Sequence, residues 1–216
     1  VSGQLNRLVD PLAYVADVRN VETSRLGADI EDDAGYQARI RLAPERFSVA
    51  GPTGAYRYHA LAVHQGISDV AVWCPTPGTV DVRPVMTGGV LPPENILEMV
   101  RERLSAEDVR PLTDTVIVAA PEPVEYAVAG TWWLRKADEP LAASVTKAVE
   151  AALEEYRVWQ RSAPGRDINP TRLIALLERA GAKRVELASP AYLKLEKRQI
   201  ARETAINLMF MGIEDD

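Results

Sequence analysis

Residues 124–134 constrain the fold most. They read VEYAVAGTWWL, and Val124, Tyr126, Val128, Trp132 and Leu134 fall at every second position, with only Gly130 interrupting the apolar series. A period of two puts all five on one face of a strand, and that face must lie against a core. The cover comes next in the chain. Over residues 141–159, Leu141, Val145, Val149, Ala152, Leu153 and Tyr156 share one helical stripe, while Lys147, Glu150, Glu154 and Glu155 take the watered side. A strand with one apolar face, followed by a helix with one apolar stripe, predicts helices layered on a sheet.

The rest of this region fits the same layer. Asn169-Pro170 is an N-cap followed by proline at the first helical position, and Leu173, Ile174, Leu176 and Leu177 then pack before Gly181 stops the helix. Residues 185–188 and 205–213 read as two further strands, which makes a β-α-α-β-β unit over 121–216, set off by Pro121-Glu122-Pro123.

Upstream, residues 67–74 alternate with Val70, Val72 and Cys74 on one side, and a Pro-Thr-Pro-Gly turn leads into a returning strand over 80–86. Pro84 has no N–H for a ladder, so this strand is expected at an edge. A helix starts at Pro92-Pro93-Glu94 with Ile96, Leu97, Val100 and Leu104 on its buried stripe, and residues 115–119 form a short buried strand. That is a β-β-α-β unit. Two short helices precede it. The first, over 34–43, follows the acidic run Asp29-Ile30-Glu31-Asp32-Asp33 and ends at Pro44; the second, over 55–63, has Thr53 as its cap and packs Tyr58, Leu61 and Ala62 inward. The predicted fold is therefore α+β: a short helical pair, then two small α/β sandwich units with mostly antiparallel sheets. The expected division is 1–28 as the remnant of a preceding N-terminal module, 29–120 as a middle domain and 121–216 as a C-terminal domain, because the chain opens at Val1 inside patterned sequence.

Bulk properties narrow the function. At 216 residues the chain can bury a real core, and a net charge of −6 with no basic stripe argues against nucleic acid and anionic membrane as partners. The single Cys74 excludes an intrachain disulfide framework. No apolar run approaches the roughly 20 residues that span a bilayer.

Reactive side chains are few. The only histidines, His59 and His64, are five apart, which on a helix sets them about 140° apart around the axis, so they do not share a face as a zinc pair must. Cys74 ends an apolar alternation and precedes proline, a place for a small buried hydrophobe rather than an activated thiol. The acidic run carries carboxylates at relative positions one, three and five of a calcium loop, but Ala34 and Ile40 stand where glycine and the bidentate glutamate belong. Gly51-Pro52-Thr53-Gly54 lacks the Lys-Ser/Thr of a phosphate loop. The expectation is no catalytic residue, no cofactor and no metal. The competing readings are a small α+β hydrolase using His59 or Cys74, and a small-ligand-binding module.

Contact surfaces are better signalled. Trp133 points to the opposite face from Trp132 and Leu134, among Glu125, Thr131 and Arg135, where it is either an interface anchor or covered by a loop. In the last strand Ile206, Leu208 and Phe210 alternate with Met209, Met211 and Ile213. Two apolar faces suit pairing with another subunit or, equally, a central strand covered on both sides. Tyr56 and Arg57, in the run Tyr56-Arg57-Tyr58-His59, join Trp133, Met209, Met211 and Ile213 as expected interface residues.

The order of segments resembles a known family. The acidic run before a helix, Phe47-Ser-Val-Ala-Gly51, Gly54-Ala-Tyr-Arg-Tyr-His-Ala-Leu61, Ser68-Asp-Val-Ala-Val72, Gly88-Gly89-Val90, Asp108-Val-Arg-Pro-Leu-Thr-Asp114, Pro121-Glu-Pro-Val-Glu-Tyr126, Gly165-Arg-Asp167 and Gly181-Ala-Lys-Arg-Val-Glu-Leu187 together resemble the baseplate J-like family of contractile-tailed phages, prophages and tail-derived bacteriocins. The resemblance covers about residue 20 to the end. It implies a structural wedge component of the tail baseplate, with no catalysis and no cofactor. Its partners would be other copies of itself, neighbouring wedge proteins and tail fibre attachment proteins.

Overall fold

The computed structural model describes residues 52–106, 109–111 and 113–215, together with Gln37 and Arg41. The predicted segment 1–28 and the acidic run lie outside the described residues, as does most of the first predicted helix, although Gln37 and Arg41 within it are helical and exposed.

The first unit starts with α1, Thr53–Leu61, which follows Pro52 in an extended conformation with no side-chain cap. The Pro52 carbonyl accepts the Ala55 and Tyr56 N–H groups at 3.0 and 3.4 Å, so the helix starts on backbone alone and Thr53 is its first residue rather than its cap. Its buried face is Ala55, Tyr56, His59 and Ala60, rotated from the expected Tyr58, Leu61 and Ala62. Two tethers set that rotation: the Tyr56 hydroxyl donates to Asp114 Oδ2 at 2.9 Å, and Arg57 donates to the Val70 carbonyl at 3.0 Å.

Strands β1 (Ile67–Trp73) and β2 (Thr79–Met86) form an antiparallel hairpin, with Val72 opposite Val82. Helix α2 (Glu94–Ser105) buries Ile96, Leu97, Val100 and Leu104 as predicted. It carries the chain across to β3 (Thr115–Val118), which pairs parallel to β2, giving the order β1-β2-β3. Val82, Val100 and Leu104 are wholly enclosed, each contributing roughly 1.5–3 kcal/mol by leaving water.

Two expectations are corrected here. β2 is central, not an edge, despite Pro84. The Thr115 and Ala119 N–H groups bond the Gly78 and Val82 carbonyls, so even-numbered residues of β2 turn their backbone toward β3. Pro84 is next in that series but lies past the end of β3, where no ladder bond is lost. In turn β3 is the half-exposed strand, with Ile117 open to solvent, because α1 and α2 cover one face of the sheet only.

The second unit is built on β4 (Glu122–Arg135), α3 (Ala142–Arg161), α4 (Pro170–Arg179), β5 (Arg184–Ser189) and β6 (Gln199–Glu214). Asn169 accepts the Thr171 N–H at 3.0 Å as the N-cap of α4, and Pro170 occupies the first turn. Tyr126, Val128, Trp132 and Leu134 of β4 pack on Val149, Ala152 and Tyr156 of α3 and on Leu173, Leu176 and Leu177 of α4. Leu141 is not in that stripe. It is exposed in a 3-10 turn before α3.

The sheet order is β5-β4-β6, with β4–β5 antiparallel and β4–β6 parallel over fourteen register pairs. Among the described residues from 52 onward the fold is thus α+β with four helices and two three-stranded mixed sheets. The sheets are less antiparallel than expected: β3 returns parallel to β2 after the α2 crossover. In the second sheet the helices lead to the antiparallel β5, and the non-helical connection over 190–198 then brings β6 back parallel to β4. The two cores are separate clusters. The units touch at Gly89, whose φ of +74° and closeness to Arg161 leave no room for a side chain: a Cβ there would lie 2.4 Å from the Arg161 carbonyl oxygen.

Candidate assembly surface

The reactive side chains do not converge. His59 is buried against α2, its Nδ1 3.3 Å from Arg103 Nη2 and its ring edge-on to Tyr58. His64 Nδ1 accepts the Gly66 N–H at 2.9 Å and serves the turn into β1. Cys74 is exposed just beyond β1, its thiol donating to the Thr76 carbonyl, rather than buried as its apolar neighbours suggested. Among the described residues, no cluster of three histidine, cysteine or carboxylate side chains is placed to hold a metal. A cavity of about 240 Å³ opens between the units, lined by Trp73, Asp81, Arg83 and 196–198. Its Asp81 and Arg83 already pair with each other at 2.7 Å.

Tyr56 is also no surface residue. It is 1% exposed, and burial, with the Asp114 carboxylate beside it, pushes its phenol above the ordinary range. Arg57 remains partly open but is held by Asp69 and the Val70 carbonyl.

Trp133 lies on the sheet face away from the helices, and it is covered. The Arg184 guanidinium stacks 3.5 Å from its ring centroid. Arg184 is held there by Glu214, whose carboxyl the arginine keeps below the usual range. The tryptophan that looked like a free anchor is therefore half-buried under its own chain.

β6 is different. Among the described residues it is an edge strand, paired with β4 on one side only. Its first part is rooted in the core by Ile200 and Ala201, both fully buried. Next to them Glu203 accepts from Arg157 at 3.0 Å and from Arg161 at 2.9 Å. Burial alone would raise the Glu203 carboxyl, but hydrogen bonds and the two guanidinium charges outweigh it and hold it below the ordinary value. Beyond that anchor the strand runs past the helices. Ile206, Phe210 and Ile213 lie beside Val128, Trp132 and Leu134, and Met209 lies beside Thr131 on the opposite face. Ile206 is 38% exposed, Met209 50%, Phe210 44%, Met211 55% and Ile213 41%. The Phe210 ring centroid lies 4.6 Å from that of Trp132. Residues 204–213 contain no charged side chain.

Of the six expected interface residues, Met209, Met211 and Ile213 come together on this edge, while Trp133, Tyr56 and Arg57 do not. Ile206 and Phe210 belong to the same patch. Their even spacing signalled a strand, but only the topology shows that the helix layer stops short of them.

The chain is similar to known baseplate proteins. The family model described as "Baseplate J-like central domain" matches residues 48–120, and that of the "Baseplate J-like protein C-terminal domain" matches residues 139–209. Baseplate protein J of Escherichia phage P2 is 38% identical over 168 residues, covering 76% of this chain and 53% of that protein. A chain from the six-fold symmetrised cryo-EM structure of the anti-feeding prophage baseplate superposes with a TM-score of 0.53 at 15% identity, over 91% of this chain and 47% of that one. That likeness is one of fold. The chain spans about half the length of both relatives.

Proposed function

The chain belongs to the baseplate J-like family, and from that membership we propose that it is a structural part of a contractile-tail baseplate, acting through subunit contacts rather than catalysis. The observation that carries this reading is β6: an edge strand with ten consecutive uncharged residues and five exposed apolar side chains, in a chain whose reactive groups are each occupied structurally. An edge of this kind exposes both unpaired backbone groups and apolar area, which a protein tolerates where a partner covers it.

On this reading the partners are further copies of the chain, neighbouring wedge proteins and the proteins that attach tail fibres. The division into a middle domain ending near residue 120 and a C-terminal domain beyond it is part of the proposal. The protein would reside in the tail baseplate of a virion or tail-like particle, after assembly in the host cytoplasm. Among the described residues, no helix is long and apolar enough to cross a membrane.

The test is to tag the chain in its own host and purify contractile tails. The tag should appear at the baseplate end in electron micrographs, and Cys74→Ser should leave tail yield unchanged. Deletion of residues 206–213 should remove baseplates while the untagged sheath and tube proteins are still made. A tag absent from purified tails would overturn the reading.

A further inference from the structure

We propose that the open edge of β6 pairs antiparallel with β6 of a second copy, about a two-fold axis at Leu208, joining two three-stranded sheets into one of six strands. This deepens the assembly reading above and rests on it, by naming the partner and the register.

The register follows from the side chains. Directly opposed residues of an antiparallel pair share a face, so an axis lying between two residues would set the helix-side face against the outer one. An axis on a residue is required. At Leu208 it sets Ile206 opposite Phe210 of the second copy, both on the helix side and both exposed here. It also sets Arg202 opposite Glu214 of the second copy, twice, both on the outer face beside Glu125 and Arg135. Moving the axis to Met209 would oppose Glu203 to Asp215, two like charges; moving it to Asn207 would oppose Arg202 to Gly212 and lose the ion pair. Leu208 is the position that serves both the apolar and the charged pairings, with Glu214 shared between the Arg184 of its own chain and Arg202 of the second copy.

Irregularities in the strand agree with this axis. β6 carries one extra residue against β4 near Thr204 and another near Met211. With Leu208 on the axis, Thr204 lies opposite Gly212 and Ala205 opposite Met211, so the irregular positions of the two copies coincide to within a residue. The run between them, 205–210, keeps regular register with β4. Isologous pairing of this kind is closed, which is why an apolar edge need not propagate into fibres.

The experiment uses the 216-residue chain carrying Cys74→Ser, with Ile206→Cys and Phe210→Cys made singly. Both sites are exposed, and circular dichroism checks that each variant folds. Under mild oxidation a mixture of the two should give a cross-linked dimer, whereas each alone should not, because two copies of residue 206 would lie about 13 Å apart, beyond disulfide reach. Ile206→Lys should abolish the wild-type dimer seen by light scattering, and mixing it with Phe210→Glu should restore one. The same cysteine pair is then read in purified tails. Tails that contain the chain but show no 206–210 cross-link, with the free chain monomeric, would overturn the strand pairing and leave the baseplate reading standing. Cross-linking of residue 206 to a different protein would overturn the second copy as occupant. Tails that lack the chain would defeat the baseplate reading itself.

Discussion

The two sheets share a plan and end it differently. In each, a central strand takes an antiparallel neighbour on one side and a parallel one on the other. In the first sheet the parallel strand β3 is four residues long, whereas in the second β6 is sixteen. Shortness is one of the ordinary ways a protein blunts a sheet edge, since a short edge offers few unpaired backbone groups. β6 lacks that protection and also lacks charges over residues 204–213. The same scaffold thus carries one short edge and one long uncharged edge, and under the proposed function the difference assigns assembly to the second unit.

The sharpest way to break this comparison is to destabilise the cores separately. Leu104→Ala removes a fully buried side chain from the first core and Leu177→Ala one from the second. Each should cost about 2–5 kcal/mol in urea unfolding. Because the cores are distinct, each substitution should lower the transition of its own unit and spare the other. One common transition, shifted equally by both, would mean that the sheets form a single cooperative structure.

Next comes the anchor of β6. Glu203→Gln keeps the shape but removes the charge facing Arg157 and Arg161, and should cost about 1.5–3 kcal/mol, the range for hydrogen bonds to charged groups. The pH dependence has a definite sign. The folded carboxyl is held below its unfolded value of about 4.3, so the unfolded state binds more protons as the solution becomes acidic. This stabilisation is full above the unfolded value and is lost as pH falls through the folded one. In melts from pH 6 to 3, Glu203→Gln should lack that portion of the acid slope. An identical slope in both proteins would refute the assignment.

Gly89 tests the joint between the units. Gly89→Ala places a methyl group 2.4 Å from the Arg161 carbonyl at a φ of +74° and should cost about 1–3 kcal/mol as an overpacked, strained site. The loss should appear in the melts, while association through residues 206–213, beyond the Glu203 that Arg161 holds on β6, should be unaltered.

The sequence revealed each element whose partners are near or whose periodicity is strict. β4, α3 and α4 fall in this class, because apolar spacing and the Asn169-Pro170 cap act locally. What it hid was long-range. β6 begins at Gln199, six residues before the expected 205, since Arg202 and Glu203 look like loop until Arg157 and Arg161 are brought to the carboxylate. Pro84 argued for an edge, and only the early end of β3 makes it harmless. The face of α1 was misjudged because alanines, tyrosines and a histidine surround it without a clear stripe, and the bond to Asp114 decides its rotation. At the surface, alternation marked Met209, Met211 and Ile213, but whether such a strand is central or an edge depends on partners that no local pattern records. For Trp133 the pattern leaves an interface anchor and a covered residue equally open, because its cover, Arg184, is fifty-one residues away.

The smallest expected change in stability carries the largest change in assembly. Met209→Lys adds a charge to the outer face of β6 at a side chain that is half in water. The folded chain should lose no more than about 0.5 kcal/mol, since no core contact is removed. Charge on an exposed edge is a device against edge-to-edge pairing, so the substitution gives β6 a protection that the first sheet obtains through a short β3. If β6 is the assembly edge, its melting transition should stay in place while light scattering shows loss of the dimer and tails lose their baseplates. The mirror substitution, Ile117→Lys on β3, should leave both readouts unchanged, because that edge is already closed by its length. Loss of assembly from Ile117→Lys with none from Met209→Lys would invert the comparison and move the contact surface to the first unit.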